Sequence, residues 1–245
     1  MTDAPTYDQV LKETDQFIAS LPSDVREYVI ETPYGRGLAH PFYRLIGIEA
    51  MVSAGVFTAE SIVDCIADRQ AEFEKSCADG DFEGALFMID KAYRAEYLLD
   101  LIERHGVSKL CPAIGSVWVD VENIHRDDEI WNDIWGAVID GIGNTHEVMD
   151  EEDRAIFEAL PDSLTIYRGF REDGGEYGWS WTLDKVKAEW FARRSAGVPM
   201  VASATIPKRV ALAYFGGRNE AEIVMHPDQY ANVTIEALGL IEEAA

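Results

Sequence analysis

Two glutamates two positions apart, Glu220 and Glu222, stand at the mouth of the apolar run Ile223-Val224-Met225. Residues two apart on a strand share a face, so both carboxylates can line one cleft. A carboxylate entering a buried strand is costly unless something there uses its charge. Paired carboxylates suit chemistry at an electron-poor sugar carbon. One stabilises the oxocarbenium-like centre, and the other takes a proton from the attacking group. Alone, the pattern also fits a solvated strand end. Arg168, in IYRGF, closes an apolar strand beside a glycine, which makes it available as a fork for phosphate or another anion. A salt bridge is its structural alternative. Ser180 and Thr182, in WSWT, share a strand face, where small hydroxyls can orient a carboxylate or simply form a polar surface.

The elements that carry these residues begin after Pro161. Alternating β-branched and aromatic residues predict strands at LTIYRGF (164–170), WSWTL (179–183), MVASATI (200–206), VALAYF (210–215), EIVM (222–225) and NVTIEAL (232–238). REDGGEYG (171–178) reads as a turn-rich loop. DKVKAEWFARR (184–194) reads as a helix, with Asp184 at its start and two arginines in its last turn. One helix among several strands predicts an α+β domain with a mainly antiparallel sheet. Upstream, apolar residues recur at helical spacing over 7–20, from Thr58 to near Cys77, from Asp81 to His105-Gly106, over 128–142 and over 151–160. The expected organisation is therefore a helical region, 1–150, followed by a sheet domain, 151–245.

Taken in order, these pieces resemble the mono-ADP-ribosyltransferase superfamily in its Arg–Ser–Glu branch. The matching segments are YRG (167–169), SWT (180–182), LDKVKAEWFA (183–192) and EAE with IVMHP (220–227). Trp181 stands where that family has a small residue, and Thr182 replaces its last serine. The whole chain resembles, more loosely, uncharacterised phage-encoded proteins, with the tryptophan-containing WVDVENI (118–124) ahead of YRG. The resemblance implies a split-sheet ADP-ribosyltransferase-like domain that uses NAD as substrate and no metal. Arg168 would contact the NAD phosphate or ribose, and Gly169 would offer backbone hydrogen bonds to the carboxamide. Ser180 would brace Glu222, Thr182 beside it would join the cofactor-binding set, and Trp181, Phe191 or Trp179 would stack on nicotinamide. Glu222 would stabilise the cationic sugar, and Glu220 would activate the acceptor, commonly an arginine side chain. The turn over 213–219 would recognise the acceptor, with Tyr214 or Phe215 as its aromatic.

The net charge of −24 over 245 residues is unevenly spread. Residues 1–160 hold 33 acidic and 12 basic side chains, a balance of −21. A field of that sign repels phosphate backbones and favours a basic protein partner. The alternative to a transferase is thus an acidic binding protein, even a nucleic-acid mimic, whose sheet domain is catalytically silent. An NAD glycohydrolase, with water as acceptor, is the nearer alternative. Three cysteines and five histidines show no metal-ligand spacing. No G-x-G-x-x-G follows a predicted strand, which argues against a Rossmann dehydrogenase. No apolar run approaches a membrane span. The expected location is the cytoplasm, that of a host cell if the chain is phage-encoded.

Overall fold

Hydrophobic alternation in residues 163–170 buries Leu164, Ile166 and Phe170 and makes that segment the spine of a sheet. A computed structural model describes residues 6–121, 124–171, 175–194, 196–229 and 232–239. The chain divides into two compact units, Met1–Leu98 and Leu99–Ala245. Each combines helices with an antiparallel sheet.

The first unit opens with α1 (Tyr7–Ser20), whose start is a capping box between Thr6 and Gln9. A short α2 (Ser23–Arg26) leads to a meander of β1 (Val29–Thr32), β2 (Gly35–His40) and β3 (Tyr43–Ile46). This three-stranded sheet lies within the expected helical region, 1–150, and is not foreseen in it. Its strands are short and interrupted by Gly35, Arg36 and Gly37, so no two-residue alternation stands out. Then come α3 (Ile48–Ser53), α4 (Ala59–Asp79, capped by Thr58), α5 (Phe82–Phe87) and α6 (Arg94–His105). The single helix expected from Asp81 to His105 is broken between α5 and α6. Asp90 causes the break, because its carboxylate accepts the Ala92 N–H at 3.1 Å and starts a new turn.

The division between the units falls inside α6. The second unit holds α7 (Val107–Asp120), α8 (Asp128–Gly141) and α9 (Glu151–Ala159). It also holds β4 (Ser163–Phe170), β5 (Ser180–Thr182), α10 (Lys185–Ala192), β6 (Met200–Pro207), β7 (Ala211–Phe215), β8 (Glu222–Met225) and β9 (Thr234–Ala237). The expected strands are all present, and Asp184 caps α10 by accepting the Val186 and Lys187 N–H groups. Strand order is β7-β8-β5-β4-β6-β9, with every recorded pairing antiparallel. The compact units divide at Leu98/Leu99 rather than near residue 150. The physical reason is that α7 packs onto the sheet: a Cβ on Gly115 would lie 3.3 Å from the Phe215 ring and 2.1 Å from the Val148 carbonyl.

A second close approach shapes the sheet's neighbourhood. A Cβ on Gly169 would lie 1.9 Å from the Ala188 carbonyl, so only glycine lets α10 sit this near β4. Ala188 and Ala192 meet Val201 and Tyr167 in the layer between them. On α7, Leu110, Cys111, Ala113, Ile114, Val117 and Trp118 are all buried.

Candidate active site

β4 and β5 are hydrogen-bonded through one register pair, Tyr167 with Thr182. Beyond it the two strands part, and a cavity of about 210 Å³ opens between them. Its lining is Tyr167, Arg168, Gly169, Ser180, Trp181, Thr182, Phe191, Glu220 and Glu222. Arg168, Gly169, Ser180, Trp181, Thr182, Phe191, Glu220 and Glu222, singled out from the sequence, thus come together at one gap in the sheet. Arg168 fills part of the gap. Its Nη1 donates to the Ser180 carbonyl at 2.6 Å and its Nε to the Gly175 carbonyl at 2.7 Å. A Cβ on Gly178 would lie 2.4 Å from the guanidinium carbon, so the cation lies against bare backbone. Residues 172–174 of the predicted 171–178 loop lie outside the described residues.

Glu222 is the first residue of β8, opposite Thr182 on one side and Phe215 on the other. It is 6% exposed. Burial pushes its carboxyl above the ordinary glutamate range. Hydrogen bonds from the Ser180 side chain and from Trp118 oppose that shift, the negative charge of Glu220 adds to it, and the positive charge of Arg218 opposes it. The Trp118 indole Nε1–H donates to Glu222 Oε1 at 3.1 Å. Sequence spacing gave no access to this contact, since 104 positions separate the partners. Its local origin is plain in retrospect. Gly115 brings α7 down onto Phe215, and Trp118, three residues later on the same helix face, reaches the carboxylate paired across from Phe215. Behind it, Trp131 and Trp135 meet Trp118 edge-on, with ring centroids 4.8 and 5.7 Å away.

Glu220 lies outside the strand, its side chain 16% exposed, and its carboxylate pairs with Arg218 at 3.5 Å. The turn that presents it is strained: Arg218, Asn219 and Ala221 all have positive φ, at 57°, 56° and 44°. Non-glycine residues adopt this region at a cost, and such strain collects at functional sites. Both ends of the turn are tied. The Gly216 N–H donates to Asp153 Oδ1 at 2.8 Å, and the Leu183 N–H donates to the Ala221 carbonyl at 3.0 Å. The Thr182 hydroxyl donates to the Glu220 carbonyl, so Thr182 anchors the turn instead of bracing Glu222.

The aromatic candidates separate. Phe191 is half-buried on the cavity wall, and the Arg194 guanidinium lies 5.5 Å from its ring centre. Trp181 is 2% exposed and donates its indole N–H to the Gly178 carbonyl at 3.0 Å, so packing accounts for most of its surface. Tyr214 and Phe215, expected on an exposed acceptor turn, are buried in β7. The turn is confined to 216–221 because β7 runs on to Phe215, where it pairs with Glu222. Gly169 serves the approach of α10, as described above.

A larger cavity, about 910 Å³, runs along 207–212. Of the two cations that line it, Lys208 and Arg209, Lys208 is committed to the carbonyls that end α9, at 3.4 Å from Phe157, 3.0 Å from Glu158 and 2.8 Å from Leu160. The smaller cavity, where two acids and an arginine meet at a gap in the sheet, is the stronger candidate. Among the described residues no group of three or more His, Cys, Asp or Glu is arranged to hold a metal ion. No described helix is long and apolar enough to cross a membrane. Neither family models nor curated proteins nor solved structures match this chain.

Proposed function

We propose that this chain is an NAD-dependent mono-ADP-ribosyltransferase, moving ADP-ribose from NAD to an arginine side chain of a protein acceptor with release of nicotinamide. The observation that carries this reading is the convergence of Arg168, Ser180, Glu220 and Glu222 on one cavity. A volume of about 210 Å³ is below the ~300–1,000 Å³ of sites that enclose a whole ligand. It suits a ring and its sugar, with the rest of the dinucleotide lying outside. Phe191 offers the ring a flat apolar wall.

Glu222 is the charge-stabilising group in this reading. As the nicotinamide–ribose bond lengthens, positive charge grows on the sugar carbon. A carboxylate already desolvated and held by Ser180 and Trp118 meets that charge without reorganising, so its help is largest in the transition state. Glu220, at the wetter edge of the cavity, takes the proton that the acceptor guanidinium loses as it attacks. Arg168 holds the gap open and offers positive charge to the substrate's phosphates.

The test is incubation with labelled NAD and a cell lysate, alongside Glu222→Gln. Label on a protein, lost in the variant, supports transfer. Free ADP-ribose without labelled protein points to water as acceptor. Intact NAD with no label anywhere counts against both. The balance of −21 over residues 1–160 favours one other reading, an acidic binding protein. In that case Glu222→Gln leaves the biological effect unchanged.

A further inference from the structure

β7 is the outermost strand of its sheet, and two N–H groups on its outer edge meet side chains instead of a strand. The Tyr214 N–H donates to Met149 Sδ at 3.2 Å. The Gly216 N–H, two residues on, donates to Asp153 Oδ1 at 2.8 Å. The segment entering α9 and the first turn of α9 thus stand where a further strand would. The two contacts differ in strength, because a thioether is a weak acceptor and a carboxylate a strong one. Asp153 is itself fixed. Its N–H donates to Oδ1 of Asp150, the cap of α9, at 2.8 Å. Space at the contact is tight: a Cβ on Gly216 would lie 3.1 Å from Asp153 Oδ1 and 3.4 Å from the Tyr214 hydroxyl. The carboxylate therefore grips the chain where it leaves β7, at the entry to the strained turn that carries Glu220.

We infer, on the transferase reading of the cavity, that Asp153 is a positioning residue of the acceptor step. Through Gly216 it fixes the turn that sets Glu220 at the cavity edge, and so favours a guanidinium over water as the attacking group. Glu220 and Glu222 are held by different means. Glu222 sits in β8, paired with Thr182 and Phe215, and takes hydrogen bonds from Trp118 and Ser180. Glu220 lies in a turn where Arg218, Asn219 and Ala221 all have positive φ. Such conformations persist only where the surroundings over-determine them. The Thr182 hydroxyl and the Leu183 N–H hold the far end of the turn, by the Glu220 and Ala221 carbonyls, and Asp153 holds the near end. Without Asp153 the near end relaxes. Breaking the bond to nicotinamide calls on Glu222, which stays in place. Transfer also calls on a base at a fixed height. An acceptor nitrogen bonds to the sugar carbon, nicotinamide leaves with the electron pair of its bond, and the acceptor's proton passes to Glu220. Water in the same place sheds its proton to solvent, so hydrolysis tolerates a displaced Glu220.

The experiment uses the full-length chain, labelled NAD and poly-arginine, for the wild type, Asp153→Ala and Asp153→Asn. Nicotinamide release and label on poly-arginine are measured together. Asp153→Asn keeps a side-chain oxygen for the Gly216 N–H, and Asp153→Ala removes it. In Asp153→Ala the labelled share of turnover should fall about 10-fold, the scale for losing a hydrogen bond to a charged group, while nicotinamide release stays close to wild type. Asp153→Asn should keep most of that share. Amide hydrogen exchange over 216–221 should quicken in Asp153→Ala and not in Asp153→Asn. A parallel fall of release and transfer in Asp153→Ala makes Asp153 a general stability residue and overturns the inference. An unchanged labelled share in Asp153→Ala overturns it too, as does an Asp153→Asn variant that loses as much as Asp153→Ala. Nicotinamide release by the wild type without labelled poly-arginine overturns the inference and leaves NAD cleavage at Glu222 standing. Absence of nicotinamide release from the wild type overturns the reading and the inference together.

Discussion

Trp118→Phe isolates the least expected contact of the site. The substitution keeps an aromatic ring in the buried cluster and removes one donor, the indole N–H that lies 3.1 Å from Glu222 Oε1. A hydrogen bond to a charged group contributes about 1.5–3 kcal/mol. Losing it disfavours the ionised carboxylate, whose pKa burial already raises. At 1.36 kcal/mol per pH unit, the acid limb of the kcat/KM profile for nicotinamide release should move upward by about one to two pH units. On the acid side of that limb kcat/KM should fall about 10- to 100-fold. Because a void left by the smaller ring also destabilises the fold, by about 0.5–3 kcal/mol, a control is needed. Trp131→Phe provides it. Trp131 packs against Trp118, but its buried indole N–H has no hydrogen-bond partner, so its loss removes packing and no bond to Glu222. Its profile should keep the wild-type limb. A carbon-13 titration of Glu222 gives the same comparison independently of turnover. If the limbs of Trp118→Phe and wild type coincide, Trp118 does no more than fill space.

Other substitutions separate packing from chemistry. Glu222→Gln should abolish turnover yet raise stability at neutral pH by about 0.5–2 kcal/mol. The sign follows from the raised pKa. The folded chain holds the Glu222 proton more tightly than the unfolded chain, so the group's stabilising contribution is complete below the ordinary glutamate range and is lost as pH rises through the folded value. Denaturant midpoints should therefore differ at pH 7 and converge in acid, and a variant no more stable at pH 7 would count against a strained, buried carboxylate. Gly169→Ala should destabilise by about 1–3 kcal/mol, because its methyl meets the Ala188 carbonyl at 1.9 Å and must push α10 off β4. A thermal melt close to wild type would refute the tight approach. Thr182→Val keeps the shape but frees the Glu220 carbonyl. It should lower transfer to a guanidine acceptor more than hydrolysis to free ADP-ribose, and an equal fall in both would argue that Thr182 serves Glu222 after all.

Legibility in the sequence follows the range of the forces involved. β4, β5, β7 and β8 alternate or run apolar because neighbouring strands and helices cover their faces, and that local pattern can be read directly. The meeting of Arg168, Ser180, Glu220 and Glu222 is expected from the resemblance alone, and it arises because β5 lies between β4 and β8 although β6 and β7 separate β5 from β8 along the chain. The first unit's sheet hides because Gly35, Arg36 and Gly37 break its alternation, while Arg36 is held by Glu49 across the chain at 2.8 Å. α7 hides behind two signals that usually end helices, Gly106 before it and Pro112 within it. Trp118 is buried, and its second role depends on Gly115 setting the height of α7 above Phe215, which no local pattern reveals. Tyr214 and Phe215 read as strand residues from their own pattern, as they are, and it is the recognition turn implied by the resemblance that starts too early, since the glycine pair at 216–217 marks the strand's end.

The central claim is that Glu222 stabilises a departing-nicotinamide transition state in the cavity between β4 and β5. Nicotinamide released from NAD, measured by chromatography for wild type and Glu222→Gln at equal concentration and confirmed fold, tests it most directly. The account predicts steady release by the wild type and a fall of at least ~100-fold in the variant, the scale for losing one preorganised charge-stabilising group. Equal release by the two proteins, or none by the wild type, would contradict it.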